Sequence, residues 1–205
     1  KNTAQLEHNA IEMYVRGCST RDIEALLKDD QGHILLSRSG VSRLNEVLWS
    51  EYQAFCCQDL SELDVVYIFT DAVYEPLRMF KSRAEAIIVV WGILSDGRKV
   101  LLSIRHGNKE SYENCKEIFR DLKKRGMVDP VLGVMDGAPG MIKAFNEVLH
   151  KTLRQRCLFH KKGNILSKVP STAISEMKID LNSVYYAPDQ KAALRNAKEF
   201  CDKYH

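Results

Sequence analysis

Apolar positions recur every three or four residues through the first sixty positions, and that period predicts helices. Ile11, Tyr14 and Val15 share one face of a first helix. Gly17 stops it, as a glycine at a helix C-terminus does. Ser19 and Asp22 have capping-box spacing, with Asp in place of the usual Glu or Gln. They start a second helix whose apolar side is Ile23, Leu26 and Leu27. A linker around Gly32 follows. A third helix is expected from about Ser39 to Phe55, with Val41, Leu44, Leu48 and Tyr52 on one face. Three short helices with a tight glycine turn make a helix-turn-helix-like module over residues 1–58. Base contacts in such a module come from the start of the last helix, which nominates Ser42, Arg43, Asn45 and Glu46. The competing reading is a small bundle that binds only protein, or nothing.

From Leu63 the period changes. Asp64–Thr70 is a β-branched and aromatic run that ends in Asp71. Ala86–Leu94 is a second strand, closed by a Ser95-Asp96-Gly97 turn, and Lys99–Ile104 completes the hairpin. Tyr112, Cys115, Ile118, Phe119 and Leu122 repeat at helical spacing within Ser111–Arg125, and Gly126 ends that helix. Val131–Met135 reads as a buried strand that ends in Asp136. Met141–Leu149 is helical, and Leu153–Phe159 reads as another strand. Helices return from Thr172, with Pro188-Asp189 starting the last.

The order is β-β-β-α-β-α-β, then helices. A meander followed by βαβ units gives an α/β fold, a mixed sheet with flanking helices. This is the ribonuclease-H-like arrangement, in which the first and fourth strands lie side by side at the centre. The core is expected over residues 59–170. Residues 171–205 are read as the start of a helical insertion that is incomplete.

Composition bounds the function classes. The chain has 205 residues, 45% hydrophobic and 28% charged, with 11 Gly and 5 Pro, which excludes disordered and collagen-like sequences. No apolar run approaches the roughly 18 residues of a membrane helix. No signal peptide opens the chain. Six cysteines without a C-x-x-C pair suit a reduced intracellular protein, expected in the cytoplasm and associated with the nucleoid. The chain begins at Lys1 rather than Met, so its true start is expected upstream.

The net charge of +3 is too small to announce a partner, but its distribution is uneven. Residues 1–60 carry six basic and nine acidic side chains, whereas residues 146–205 carry eleven and six. No carboxylate lies between Glu147 and Glu176, while Lys151, Arg154, Arg156, Lys161, Lys162 and Lys168 do. A stretch of that kind neutralises phosphates.

The predicted topology brings Asp71 and Asp136 to the ends of neighbouring strands. Carboxylates at that crevice are placed to hold Mg²⁺ or Mn²⁺, hard cations that prefer oxygen ligands. Two such ions about 3.5–4 Å apart clamp the attacking and leaving oxygens of a phosphodiester. Taken singly, each aspartate is as readily a strand-end or turn residue.

Several segments together resemble the Mutator-type transposases, the group that includes many bacterial insertion-sequence transposases. Tyr14-Val15-Arg16-Gly17-Cys18-Ser19-Thr20-Arg21-Asp22-Ile23 resembles the family's N-terminal helix-turn-helix signature. Asp71-Ala72-Val73-Tyr74, with Arg78, resembles the segment around its first catalytic aspartate. Arg125-Gly126 followed by Val134-Met135-Asp136-Gly137-Ala138-Pro139-Gly140 resembles the second. Gln155-Arg156-Cys157-Leu158-Phe159-His160-Lys161, with Asn164, resembles the basic Cys-x-x-His segment that follows. Cys115 stands where Trp is common in the family, and Gly163 where a basic residue is common.

The resemblance implies a ribonuclease-H-like domain with an Asp-Asp-Glu metal triad. It implies hydrolysis of DNA at transposon ends and joining of the freed 3′-hydroxyls to target DNA. Asp71 and Asp136 would be the first two triad members. The third, a glutamate, lies in the family roughly a hundred residues beyond the second aspartate, and this chain ends 69 residues (205 − 136) after Asp136. Beyond Glu147, Glu176 and Glu199 are the only glutamates left, and neither is assigned. The chain is therefore expected to be a transposase or a fragment of one. The alternatives are a catalytically inactive DNA-binding or regulatory fragment, and a nuclease of the same fold. Partners would be double-stranded DNA, as terminal repeats and target, and further copies of the chain. Arg43, Asn45, Lys151, Arg154, Arg156, His160, Lys161 and Lys162 are the candidate DNA contacts. Cys157 and His160 could supply half of a zinc site, but no second pair is positioned nearby.

Overall fold

A computed structural model describes residues 3–75, 85–107 and 111–204. The chain forms two compact units, Lys1–Gln58 and Asp59–His205.

In the first unit, α1 spans Thr3–Val15, α2 Thr20–Leu26 and α3 Arg38–Cys56. The turn between α1 and α2 contains Gly17 at φ +89°, a left-handed conformation that favours glycine. The predicted capping box is present. The Ser19 side chain accepts from the Asp22 amide at 3.2 Å, and the Ser19 amide donates to the Asp22 carboxylate at 2.9 Å. Ala10, Ile23 and Val41 form a small core, with Met13, Cys18, Leu27, Leu36 and Leu44 packed against it. Two expected core positions differ. Tyr14 is 37% exposed and Leu26 is 65% exposed. Ala10 and Met13 take the inward face of α1, because a small residue there lets the helices approach. The short α2 buries only Ile23. The Val15 side chain lies outside the described set.

In the second unit, β1 spans Val65–Glu75, β2 Glu85–Leu94, β3 Lys99–Gly107, β4 Leu132–Met135 and β5 Leu153–Arg156. The sheet order is β3-β2-β1-β4-β5. The β1–β2 and β2–β3 pairs are antiparallel, and β1–β4 and β4–β5 are parallel. This is the mixed ribonuclease-H-like sheet that the strand pattern predicts. Helices α4 (Tyr112–Lys124) and α5 (Pro139–Val148) cover one face. There Ile68, Ile88, Val90 and Leu102 of the strands meet Ile118, Phe119, Leu122, Met141 and Phe145, all buried. Phe119 and Phe145 meet edge-on, 5.6 Å between ring centroids. Tyr67, Phe69, Val73 and Trp91 project from the other face and are 40–46% exposed.

After β5 come α6 (Leu158–Leu166), a short 3₁₀ turn, α7 (Ile174–Tyr185) and α8 (Gln190–Lys203). Asp189 caps α8, accepting from the Ala192 amide at 2.7 Å. The predicted strand Leu153–Phe159 stops at Arg156, because Cys157 is already the N-cap of α6 and pairing with β4 ends at Met135↔Arg156. The strand expected over Lys99–Ile104 continues to Gly107, and β1 runs past Asp71 to Glu75, because β2 stays paired with both.

Candidate functional site

Register is what brings the two aspartates together. The parallel pairing of β1 with β4 ends at Thr70↔Met135, so the next residues, Asp71 and Asp136, are lateral neighbours. Thr70 and Met135 are 3% and 1% exposed and face the core. Side chains alternate along a strand, so Asp71 points to the opposite face, and Asp136 is the first residue after β4. Asp71 is thus not at the end of β1, which continues against β2 with Asp71 opposite Val89. It stands where β1 loses its β4 neighbour.

Each carboxylate is braced by the next backbone amide. Asp71 Oδ1 accepts from Ala72 N at 2.9 Å, and Asp136 Oδ1 accepts from Gly137 N. One oxygen of each is therefore oriented, and the pair forms a hard, anionic donor set suited to a divalent cation with water or phosphate oxygens completing its shell. Two carboxylates supply the oxygen donors such an ion takes. Among the described residues no cluster of three or more His, Cys, Asp or Glu side chains could hold a metal.

His160 approaches Asp71. It lies on the first turns of α6, with Nε2 3.7 Å from Asp71 Oδ1. Its Nδ1 is buried without a hydrogen-bond partner, and its ring meets that of Phe159 edge-on at 5.7 Å. The sequence names His160 as a DNA contact but does not reveal its approach to Asp71. The only signal was the short spacing from the end of β5. Cys157 caps α6, and its amide donates to Met135 O at 2.7 Å, which anchors the start of α6 beside the Asp136 strand.

Arg156 is the other neighbour. A Cβ added at Gly137 would meet its guanidinium at 2.6–2.8 Å, so the guanidinium rests on the backbone that follows Asp136. Glycine at 137 permits that approach.

The remaining candidate residues are dispersed. Lys151, Arg154 and Lys161 are exposed, on the turn before β5, on β5 and on α6. Lys162 is turned away, its Nζ donating to Asn182 Oδ1 of α7 at 2.5 Å. Arg43 and Asn45 are exposed on the first half of α3, in the other unit. Glu176 pairs with Lys203 at 2.6 Å. Arg78 lies outside the described residues.

The sequence profile described as "Transposase, Mutator family" matches residues 1–205. The transposase for insertion sequence element IS6120 of Mycolicibacterium smegmatis is 36% identical over 189 residues, covering 92% of this chain and 58% of that protein. The transposase for insertion sequence element ISRM5 of Rhizobium meliloti (strain 1021) is 34% identical over 160 residues, 78% of this chain and 40% of that protein. The Drosophila P element transposase strand transfer complex matches 79% of this chain and 43% of its own, at 14% identity and a TM-score of 0.43. The chain spans about half the length of the curated relatives it matches. With the family profile matched along its whole length, the chain belongs to the Mutator family of transposases.

Proposed function

We propose that this chain supplies DNA-contacting helices and two of the metal-binding carboxylates of a DNA transposase, which cleaves transposon ends and transfers the freed 3′-hydroxyl to target DNA. The observation that supports the reading is the β1–β4 register, whose last pair, Thr70↔Met135, stands one residue before each aspartate. Asp71 and Asp136 would hold Mg²⁺ or Mn²⁺. When bound, such ions activate the attacking hydroxyl and neutralise charge that develops on the phosphodiester. The chain's own residues then have separate tasks. Ala72 N and Gly137 N fix one oxygen of each carboxylate. His160, 3.7 Å from Asp71, lies beside any phosphate brought to the pair. Arg154 and Lys161 present exposed positive charge from β5 and α6. In the first unit, the exposed Arg43 and Asn45 of α3 offer a guanidinium and an amide, the groups that read base edges in a major groove. Self-association on paired DNA ends belongs to the same reading.

The test is Mn²⁺ binding to the purified chain, followed by electron paramagnetic resonance. Asp71→Asn and Asp136→Asn should each weaken binding at least about tenfold, since each removes one of two charged ligands. Glu176→Gln, a carboxylate already paired with Lys203, should bind as wild type. Binding unchanged in both aspartate variants contradicts the reading.

A further inference from the structure

A cavity of about 520 Å³ opens between the end of β5 and helices α6 and α8. Arg156, Lys161 and Lys168 line it, with Asn164 and Ser167 between them, and no carboxylate does. Lys161, Asn164 and Lys168 follow one another at three- and four-residue spacing, so they form one stripe along α6 and the turn after it. Arg156 enters from the sheet side, and among the described residues its buried Nε has no hydrogen-bond partner. A buried guanidinium nitrogen with no acceptor is costly unless something supplies one.

The surroundings do not supply it. Asp180 and Glu176 of α7 are engaged elsewhere. Asp180 accepts from Lys203 Nζ at 2.7 Å and from Tyr204 Oη at 2.8 Å, and Glu176 pairs with the same lysine. The carbonyls at the C-terminus of α6 are also occupied. Gly163 O, Ile165 O and Leu166 O accept from the amides of Ser167, Lys168 and Val169. The helix end therefore does not cancel the positive charge above it. What remains is a concave site in which three cations, an amide and hydroxyl groups lie beside the apolar Ile165, Val169, Met177 and Phe200.

We propose that this cavity is a subsite for a backbone phosphate of a DNA strand, taken up by Arg156, Lys161 and Lys168. Its position rests on the function proposed above. The guanidinium of Arg156 lies on Gly137, next to Asp136, and Lys161 follows His160, which faces Asp71. A strand whose reacting phosphate sits at the aspartates has a neighbouring phosphate on the α6 side. Arg156 and Lys161 thus hold the strand at a fixed offset from the carboxylates, and this is how the basic segment positions DNA.

The test is fluorescence anisotropy of a labelled 20-base-pair duplex with the purified chain in EDTA, across a salt series. Lys161→Ala/Lys168→Ala is compared with Lys191→Ala/Lys198→Ala, an equal change of charge on exposed positions of α8. The pocket variant should bind about tenfold more weakly, and its log K against log salt slope should fall by about 1, the loss of one phosphate contact. The α8 variant should stay near wild type in both. All four sites are exposed, so both variants should melt like wild type by circular dichroism. Equal binding by the two double variants overturns the proposal. A second arm titrates inorganic phosphate calorimetrically. Sub-millimolar binding of phosphate that the pocket variant loses, with duplex affinity untouched, also overturns it, and assigns the cavity to a free phosphate. Because these titrations contain no free metal, they stand apart from the Mn²⁺ test. Loss of Mn²⁺ binding without a duplex effect retains the aspartate reading and removes this one, and the reverse outcome does the opposite.

Discussion

The two faces of the central sheet are built from the same strands and have opposite fates. Toward α4 and α5, β1 presents Ile68, Thr70 and the half-buried Ala72, and β4 presents Gly133 and Met135. Toward the other side β1 presents Tyr67, Phe69, Asp71 and Val73, all exposed, and Asp136 follows the end of β4. One face spends its side chains on packing. The other holds the carboxylates, with His160 arriving from α6. The difference teaches that a site of this kind depends on the covered face for its precision. Packing fixes the strand positions, and alternation then turns Asp71 outward, with Asp136 one residue past the end of β4.

The sharpest way to break the comparison is to damage one face and read both. Phe145 is fully buried against Phe119, and Phe145→Ala should cost about 3–5 kcal/mol. Phe69→Ala, on a side chain 43% exposed, should cost clearly less than half of that. Urea unfolding followed by Trp91 fluorescence in a Trp49→Phe background measures both. Equal losses would mean that the second face is packed as tightly as the first.

A smaller effect is expected where the faces meet the site. Gly137→Ala pushes against the guanidinium of Arg156, a flexible side chain that can yield, so stability should fall by only about 1 kcal/mol. The displaced guanidinium should still weaken duplex binding in EDTA severalfold, in the direction of the pocket variant. A stability loss with duplex binding unchanged would separate Gly137 from the proposed phosphate site.

Ser111 caps α4 by accepting from the Asn114 amide at 3.3 Å, and Ser111→Ala should cost about 1 kcal/mol with Mn²⁺ binding unchanged. The smallest effect concerns pH. Lys116 and Tyr112 hydrogen-bond to Glu147, tie α4 to α5, and hold its carboxyl below the ordinary carboxylate range. A depressed folded pKa stabilises at neutral pH, and that stability disappears as pH falls through the depressed value. Glu147→Gln should therefore flatten the acid side of the stability profile, as thermal melts between neutral pH and the carboxylate range would show. An unchanged slope would remove that pair from the covered face's stability.

Much of this was legible in residue order. The period change at Leu63 separated helices from sheet, and Ser19 with Asp22 marked the start of α2 where the capping box forms. Asp71 and Asp136 stood out because each closes an apolar run. The register that puts each of them one residue past the Thr70↔Met135 pair was not legible, because it is a long-range pairing. The β5–α6 junction was misread because no glycine or proline marks it. Only the N-cap geometry of Cys157 ends the strand, and apolar Leu158 and Phe159 prolong the apparent strand pattern. Leu158 and Phe159 are 41% and 80% exposed. The cavity was hidden for a related reason. Its cations are a strand residue and a helix stripe, and only the reversal of the chain at Cys157 makes them face one another.

The central claim is that Asp71 and Asp136 form one cation site. Crystals of the chain soaked in Mn²⁺ and measured for anomalous scattering test it most directly. The account predicts an anomalous peak shared by the two carboxylates, at the point where β1 parts from β4. Peaks at separate, unshared positions, or carboxylates that bind no ion while Mn²⁺ scatters elsewhere, would contradict it.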